Sequence, residues 1–184
     1  MTAVIVLLVL CAAVLAWAVA IYNRLVRLRN LVKEGWSGIE VQLKRRANLI
    51  PNLIESVKGY MGHERGVLEK VASLRSQTLG AAAPEQRARL EGDLTRALGR
   101  LFAVAEAYPD LKANQSFLDL QDELSQIEEQ IQLARRYYNG TVRDLNIAVE
   151  SFPSNIVAGM FQFRQAEFFE IEDEADRAVP KVKF

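Results

Sequence analysis

The side chains that could do chemistry are few, and their spacing limits what they could do. His63 is the only histidine among 184 residues, and Cys11 is the only cysteine. Any Ser-His-Asp or Cys-His arrangement would have to use His63. His63-Glu64 has the composition of a metal or general-base pair. A metalloprotease helix, however, needs two histidines four residues apart, and a di-iron bundle needs Glu-x-x-His, which does not occur. One Cys and one His also exclude a disulfide framework and a Cys/His zinc cluster within one chain. Cys11 sits in an apolar run behind Leu10, which is too large for a lipoprotein signal. The acidic run Glu170, Glu172, Asp173, Glu174 and Asp176 lacks the spaced ligands and turn glycine of an EF-hand, so it reads as a solvated acidic tail. The sequons at Asn114 and Asn139 are three-residue matches of a kind common by chance. These residues therefore assign no catalytic group, no cofactor and no metal ligand.

The basic clusters offer binding rather than catalysis. Lys44, Arg45 and Arg46, with Arg24, Arg27 and Arg29, are read as a basic face that is topogenic and able to meet anionic lipid. The plainer and favoured reading is a solvated helix face with topogenic charges. Lys and Arg total 23 and Asp and Glu total 23, a balance that speaks against nucleic-acid binding. Arg135-Arg136-Tyr137-Tyr138 is a tempting cluster, but Tyr138 falls on an apolar stripe and is expected in the core.

The charge is unevenly distributed. Residues 1–23 carry none, so all of it lies in the remainder. Ala3 to Tyr22 form an uncharged apolar run of 20 residues. At about 1.5 Å per residue, a helix of this length spans a hydrocarbon core of roughly 30 Å. Ala3, Leu8, Trp17 and Tyr22 are placed in this anchor, with Trp17 and Tyr22 toward the headgroup level. Arg24, Arg27, Arg29 and Lys33 follow, which puts the body in the cytoplasm and the N-terminus outside. Ala18-Val19-Ala20 has the form of a signal-peptide cleavage site. The missing basic flank and the length of the run favour an uncleaved anchor.

No stretch alternates with period two, whereas the 3.6-residue period is strong. Phe117, Leu120, Leu124, Ile127, Ile131, Ala134, Tyr138, Val142, Leu145 and Val149 draw one stripe along a helix of about nine turns. Ser116 and Asp119 suggest a capping box at its start. Leu90, Leu94, Ala97, Leu101, Val104 and Tyr108 draw a second stripe, opened by Pro84 and closed by Pro109. Pro51 is expected to kink or break the helical region before it. Gly59, Gly62 and Gly66 either cost helix stability or permit a close helix approach. The fold class is all-α: an N-terminal transmembrane helix followed by an antiparallel long-helix bundle of three or four helices, over 24–50, 52–79, 85–108 and 114–150. The serial domains are the anchor 1–23, the bundle 24–150, and a short helix with an acidic tail over 151–184. In the last of these, Met160, Phe161 and Phe163 form an apolar patch expected to contact protein.

Specific strings add a resemblance. Tyr22-Asn23-Arg24-Leu25-Val26, Trp36-Ser37, Val41-Gln42-Leu43-Lys44-Arg45-Arg46 and Asn48-Leu49-Ile50-Pro51-Asn52-Leu53 are followed by Val57-Lys58-Gly59-Tyr60 and His63-Glu64. Ala105 to Asn114, Phe117-Leu118, Ala134 to Asn139 and Phe152-Pro153-Ser154 complete the set. Over about residues 20–184 the chain resembles the bacterial LemA family. The resemblance implies one membrane helix, a helical bundle, no enzymatic activity and no cofactor. It also implies that Tyr108-Pro109 closes one helix, that Asn114 caps the next, and that Trp36 packs in the bundle or faces the membrane. The expectation is a non-enzymatic scaffold or adaptor, single-pass in a bacterial inner or plasma membrane. It would touch membrane lipid, an unknown protein partner and other copies of itself, and no nucleic acid. The alternative is an anionic-lipid-binding, membrane-remodelling or stress-response assembly.

Overall fold

A single helix, α1, runs from Thr2 to Lys58 in the computed structural model, which describes residues 1–62, 64–81 and 84–170. It is followed by α2 (Arg65–Gly80), α3 (Pro84–Ala105), the one-turn α4 (Pro109–Lys112), α5 (Gln115–Glu150) and α6 (Ser154–Met160). The described residues contain no strand. The apolar run and the first bundle helix are thus one element.

The break expected at Pro51 is absent: α1 continues past it to Lys58. Proline cannot donate to the carbonyl four residues back, which here belongs to Ala47. The Arg75 Nε–H of α2 donates to that carbonyl at 2.6 Å and so replaces the missing bond. With the orphan acceptor satisfied, the helix carries the ring through. The boundary between α1 and α2 falls instead beyond Lys58, after which Gly59 and Gly62 follow. Gly59, Gly62 and Gly66 do not mediate a close approach, because a Cβ at any of them would meet nothing within 4 Å. That role belongs to Gly35, where a Cβ would lie 3.1 Å from the Tyr138 Cα.

Helix ends follow local chemistry. Pro84 opens α3 at its first position, where a missing N–H costs nothing. Pro109 pushes Tyr108 to an extended conformation, so α3 ends earlier than its apolar stripe suggests. Asn114 Oδ1 accepts from the Phe117 N–H at 3.1 Å and caps α5. The capping box expected from Ser116 is replaced by this cap, and Asp119 instead accepts from Gln115.

The chain packs as two units. Among the described residues, one lies within 1–38 and 136–167, the other within 39–135 and 168–170. In the second, Ile50, Leu53 and Val57 of α1 meet Leu68, Val71 and Leu74 of α2, Leu94, Leu98 and Leu101 of α3, and Phe117 and Leu124 of α5. This is a four-helix core with the three-or-four spacing of the sequence stripes. In the first unit, Leu25 of α1, Ala148 of α5, and Val157, Ala158 and Phe163 in and after α6 form a smaller core. There the chain after α6 is clamped to α5. Asn146 donates to the Ala166 carbonyl at 3.0 Å and accepts from its N–H at 2.8 Å. The Tyr138 hydroxyl donates to the Glu167 carbonyl at 2.8 Å.

Candidate functional site

The apolar run expected to be the anchor stands clear of the protein core. Every residue from Met1 to Trp17 is exposed, including Ala3, Leu8 and Trp17. The most apolar stretch of α1 has mean hydropathy 3.1, and among the described residues this is the one helix long and apolar enough to cross a membrane. Burial begins at Ala18. Tyr22, expected at the anchor's edge, lies half-buried, its ring 4.7 Å from that of Phe161 and 5.7 Å from that of Phe163. Arg24, Arg27 and Arg29 are exposed just beyond it, and the Arg29 guanidinium lies 5.0 Å over the Phe163 ring.

Of the predicted basic face, Lys44 and Arg45 are exposed but Arg46 is not. Arg46 is 1% exposed and points into the second unit, which corrects its assignment to a lipid-facing surface. Its Nη1 donates to Thr95 Oγ1 at 2.8 Å and to Glu128 Oε2 at 2.5 Å, while Nη2 donates to the Glu91 carboxylate. Glu91 is almost wholly buried; Glu128 is only partly so. Burial raises the Glu91 carboxyl above its usual range, and the Arg46 charge opposes that rise. A signal for this was present in the sequence. Ile39, Leu43, Arg46, Ile50, Leu53 and Val57 are spaced by three and four, so Arg46 occupies a core position of α1. What the sequence did not indicate was its partners on α3 and α5.

A guanidinium does not give up its proton at accessible pH, so this cluster cannot act as an acid–base pair through Arg46. It ties α1, α3 and α5 together at one level. The adjoining cleft, lined by Glu40, Lys44, Arg87 and Glu91, has a volume of about 210 Å³. That is small beside the roughly 300–1,000 Å³ of small-molecule sites. Arg87 donates to Glu40 at 2.8 Å across it. No group of three or more His, Cys, Asp or Glu side chains is placed to hold a metal among the described residues. His63 and the acidic run from Glu172 onward lie outside the described residues.

The predicted apolar patch is divided. Met160 and Phe161 are exposed, but Phe163 is buried. The reason is the way α6 ends. Gln162 takes a left-handed conformation with φ 56°, the Gln162 N–H bonds the Gly159 carbonyl at 3.3 Å, and the Phe163 N–H bonds the Ala158 carbonyl at 2.9 Å. This paired closure turns the chain back, so Phe163 packs beneath α6 against Ala158. Phe163 is therefore withdrawn as a surface contact. Trp36 packs against Tyr138, ring centroids 5.5 Å apart.

Comparison with known proteins finds a family and several relatives. Residues 35–184 match the model of the LemA family. Magnetosome protein MamQ 2 of Paramagnetospirillum magneticum is 25% identical, over 86% of this chain and 68% of its own. Protein LemA of Metamycoplasma hominis is 27% identical, over 82% of this chain and 69% of its own. Magnetosome protein MamQ of Magnetospirillum gryphiswaldense is 23% identical, over 86% and 68% respectively.

Proposed function

The chain belongs to the LemA family, and from that premise we propose that it is a non-enzymatic scaffold, held in a bacterial inner or plasma membrane by its N-terminal helix. Its body faces the cytoplasm and binds partner proteins through the helical bundle, and copies of the chain associate. The observation that carries this reading is the continuity of α1. One helix supplies both the bare apolar segment up to Trp17 and the Ile50–Leu53–Val57 core face of the bundle. Arg24, Arg27 and Arg29, exposed directly after the apolar run, support the orientation.

The test is a mass measurement of the full chain in mild detergent beside residues 24–184, followed by crosslinking in native membranes. A discrete assembly that requires the anchor, or a reproducible crosslinked partner, supports a scaffold. A monomer in both forms that crosslinks to nothing overturns it. A second reading, activity by contact with anionic lipid, draws on the exposure of Lys44 and Arg45. Unchanged binding of a Lys44→Ala/Arg45→Ala variant to anionic vesicles would remove its basis.

A further inference from the structure

Protein begins to cover α1 before its apolar run ends. Thr2 to Trp17 are exposed on all sides, and burial begins at Ala18. Ala18, Ile21 and Tyr22 still belong to the uncharged run that ends at Tyr22, yet they are packed against Val157, Ala158 and Phe163 of the α6 region. If α1 crosses the bilayer with that run, α6 lies at the level where the run leaves the hydrocarbon. Amphipathic interfacial helices lie roughly 5–10 Å into that boundary.

The outer face of α6 has the composition such a position requires. Ile156 and Met160 are one turn apart and 56% and 74% exposed, and Phe152 and Phe161 flank the helix at 80% and 56%. No charged residue occurs from Ser151 to Phe163. The nearest charges along the chain are Glu150 before this segment and Arg164 after it, and Arg24, Arg27 and Arg29 follow the apolar run on α1, all exposed. An apolar surface whose surrounding charges are mostly cations is suited to acyl chains below anionic headgroups. In water the same surface would expose four large apolar side chains on one short segment.

We propose that α6 is an interfacial membrane helix, inserting Phe152, Ile156, Met160 and Phe161 into the lipid at the cytoplasmic edge of the anchor. The occupant of this surface is lipid, and the insertion fixes the tilt and rotation of α1 at its exit from the bilayer. The inference rests on the reading of α1 as a spanning helix.

The experiment uses the full chain in vesicles of phosphatidylethanolamine and phosphatidylglycerol. Three single-cysteine proteins carry an environment-sensitive fluorophore: native Cys11, Met160→Cys and Glu34→Cys, the last two in a Cys11→Ser background. Quenchers are lipids with a nitroxide either near the glycerol end or near the terminus of the acyl chain. The expected result has three parts: position 160 blue-shifted and losing most of its emission to the shallow quencher, position 11 quenched by the deep one, and position 34 by neither. Emission at 160 like that in water, with 11 still quenched, overturns the insertion and leaves the anchor intact. No quenching at 11 overturns the spanning reading and the insertion together. A blue-shifted position 160 that neither lipid quenches means protein covers α6, and that also overturns the proposal.

Discussion

Replacing Arg46 by methionine is the sharpest perturbation this structure offers. Arg46 is 1% exposed and holds the Glu91 carboxylate, Glu128 and Thr95. Methionine fills a similar length but leaves the Glu91 charge buried without its cation. Removing one member of a buried pair costs about 3–5 kcal/mol. For a chain of this size each kcal/mol moves the melting temperature by about 2–4 °C, so Tm should fall by about 6–20 °C at neutral pH. The pH dependence separates charge from packing. Burial already holds the Glu91 pKa above its ordinary 4.5, and Arg46 opposes this. Losing Arg46 raises the folded-state value further. A carboxyl raised in the folded state contributes stability that is present below the unfolded value and lost as pH rises through the folded value. The deficit of Arg46→Met should therefore narrow toward about pH 4 and widen toward neutrality. Adding Glu91→Met removes the orphaned charge and should recover most of the loss, since apolar replacement of a buried pair is often neutral or better. The assay is thermal unfolding of the full chain in detergent, followed by circular dichroism. The reasoning is refuted by a single variant as stable as the parent at neutral pH, by a deficit independent of pH, or by a double variant no better than the single.

Further substitutions test three separate features. Arg75→Met should destabilise by about 1–3 kcal/mol by leaving the Ala47 carbonyl without a donor, and the loss should largely vanish in a Pro51→Ala background, where the helix supplies its own N–H; equal losses in both backgrounds would show that Arg75 acts otherwise. Gly35→Ala should cost about 1–3 kcal/mol because its Cβ meets the Tyr138 backbone at 3.1 Å, whereas Gly38→Ala, with nothing within 4 Å, should gain up to about 1 kcal/mol in chemical denaturation. Tyr138→Phe should cost about 1 kcal/mol through the lost bond to Glu167. Burial and the Glu167 charge raise the Tyr138 phenol above 10.0, so its stabilisation is present below that value and lost as pH rises through the folded one. The variant should lack that alkaline loss in a pH titration of unfolding.

Secondary structure and the membrane-length apolar segment were legible because their causes are local. An uncharged run of 20 residues reports its own preference for hydrocarbon, and apolar residues three and four apart report a helix face. Pro84, Pro109 and Asn114 acted within a turn of where they stand. The break expected at Pro51 does not occur because its local cost was met from elsewhere, by the Arg75 side chain 28 residues beyond the Ala47 carbonyl that it serves. Phe163 misled because one left-handed residue, Gln162, reversed its direction.

The sequence by itself determined an all-helical chain with one membrane-length segment, since both follow from composition and period along the backbone. Only the tertiary structure decided which charge is buried and which element covers the end of the apolar run. Arg46 finds Glu91 and Glu128 at separations of 45 and 82 residues, and α6 returns from far along the chain to cover the last turn of the apolar run. Such pairings depend on how the helices pack together, and a linear pattern carries the faces of helices but not the identity of the neighbours those faces meet.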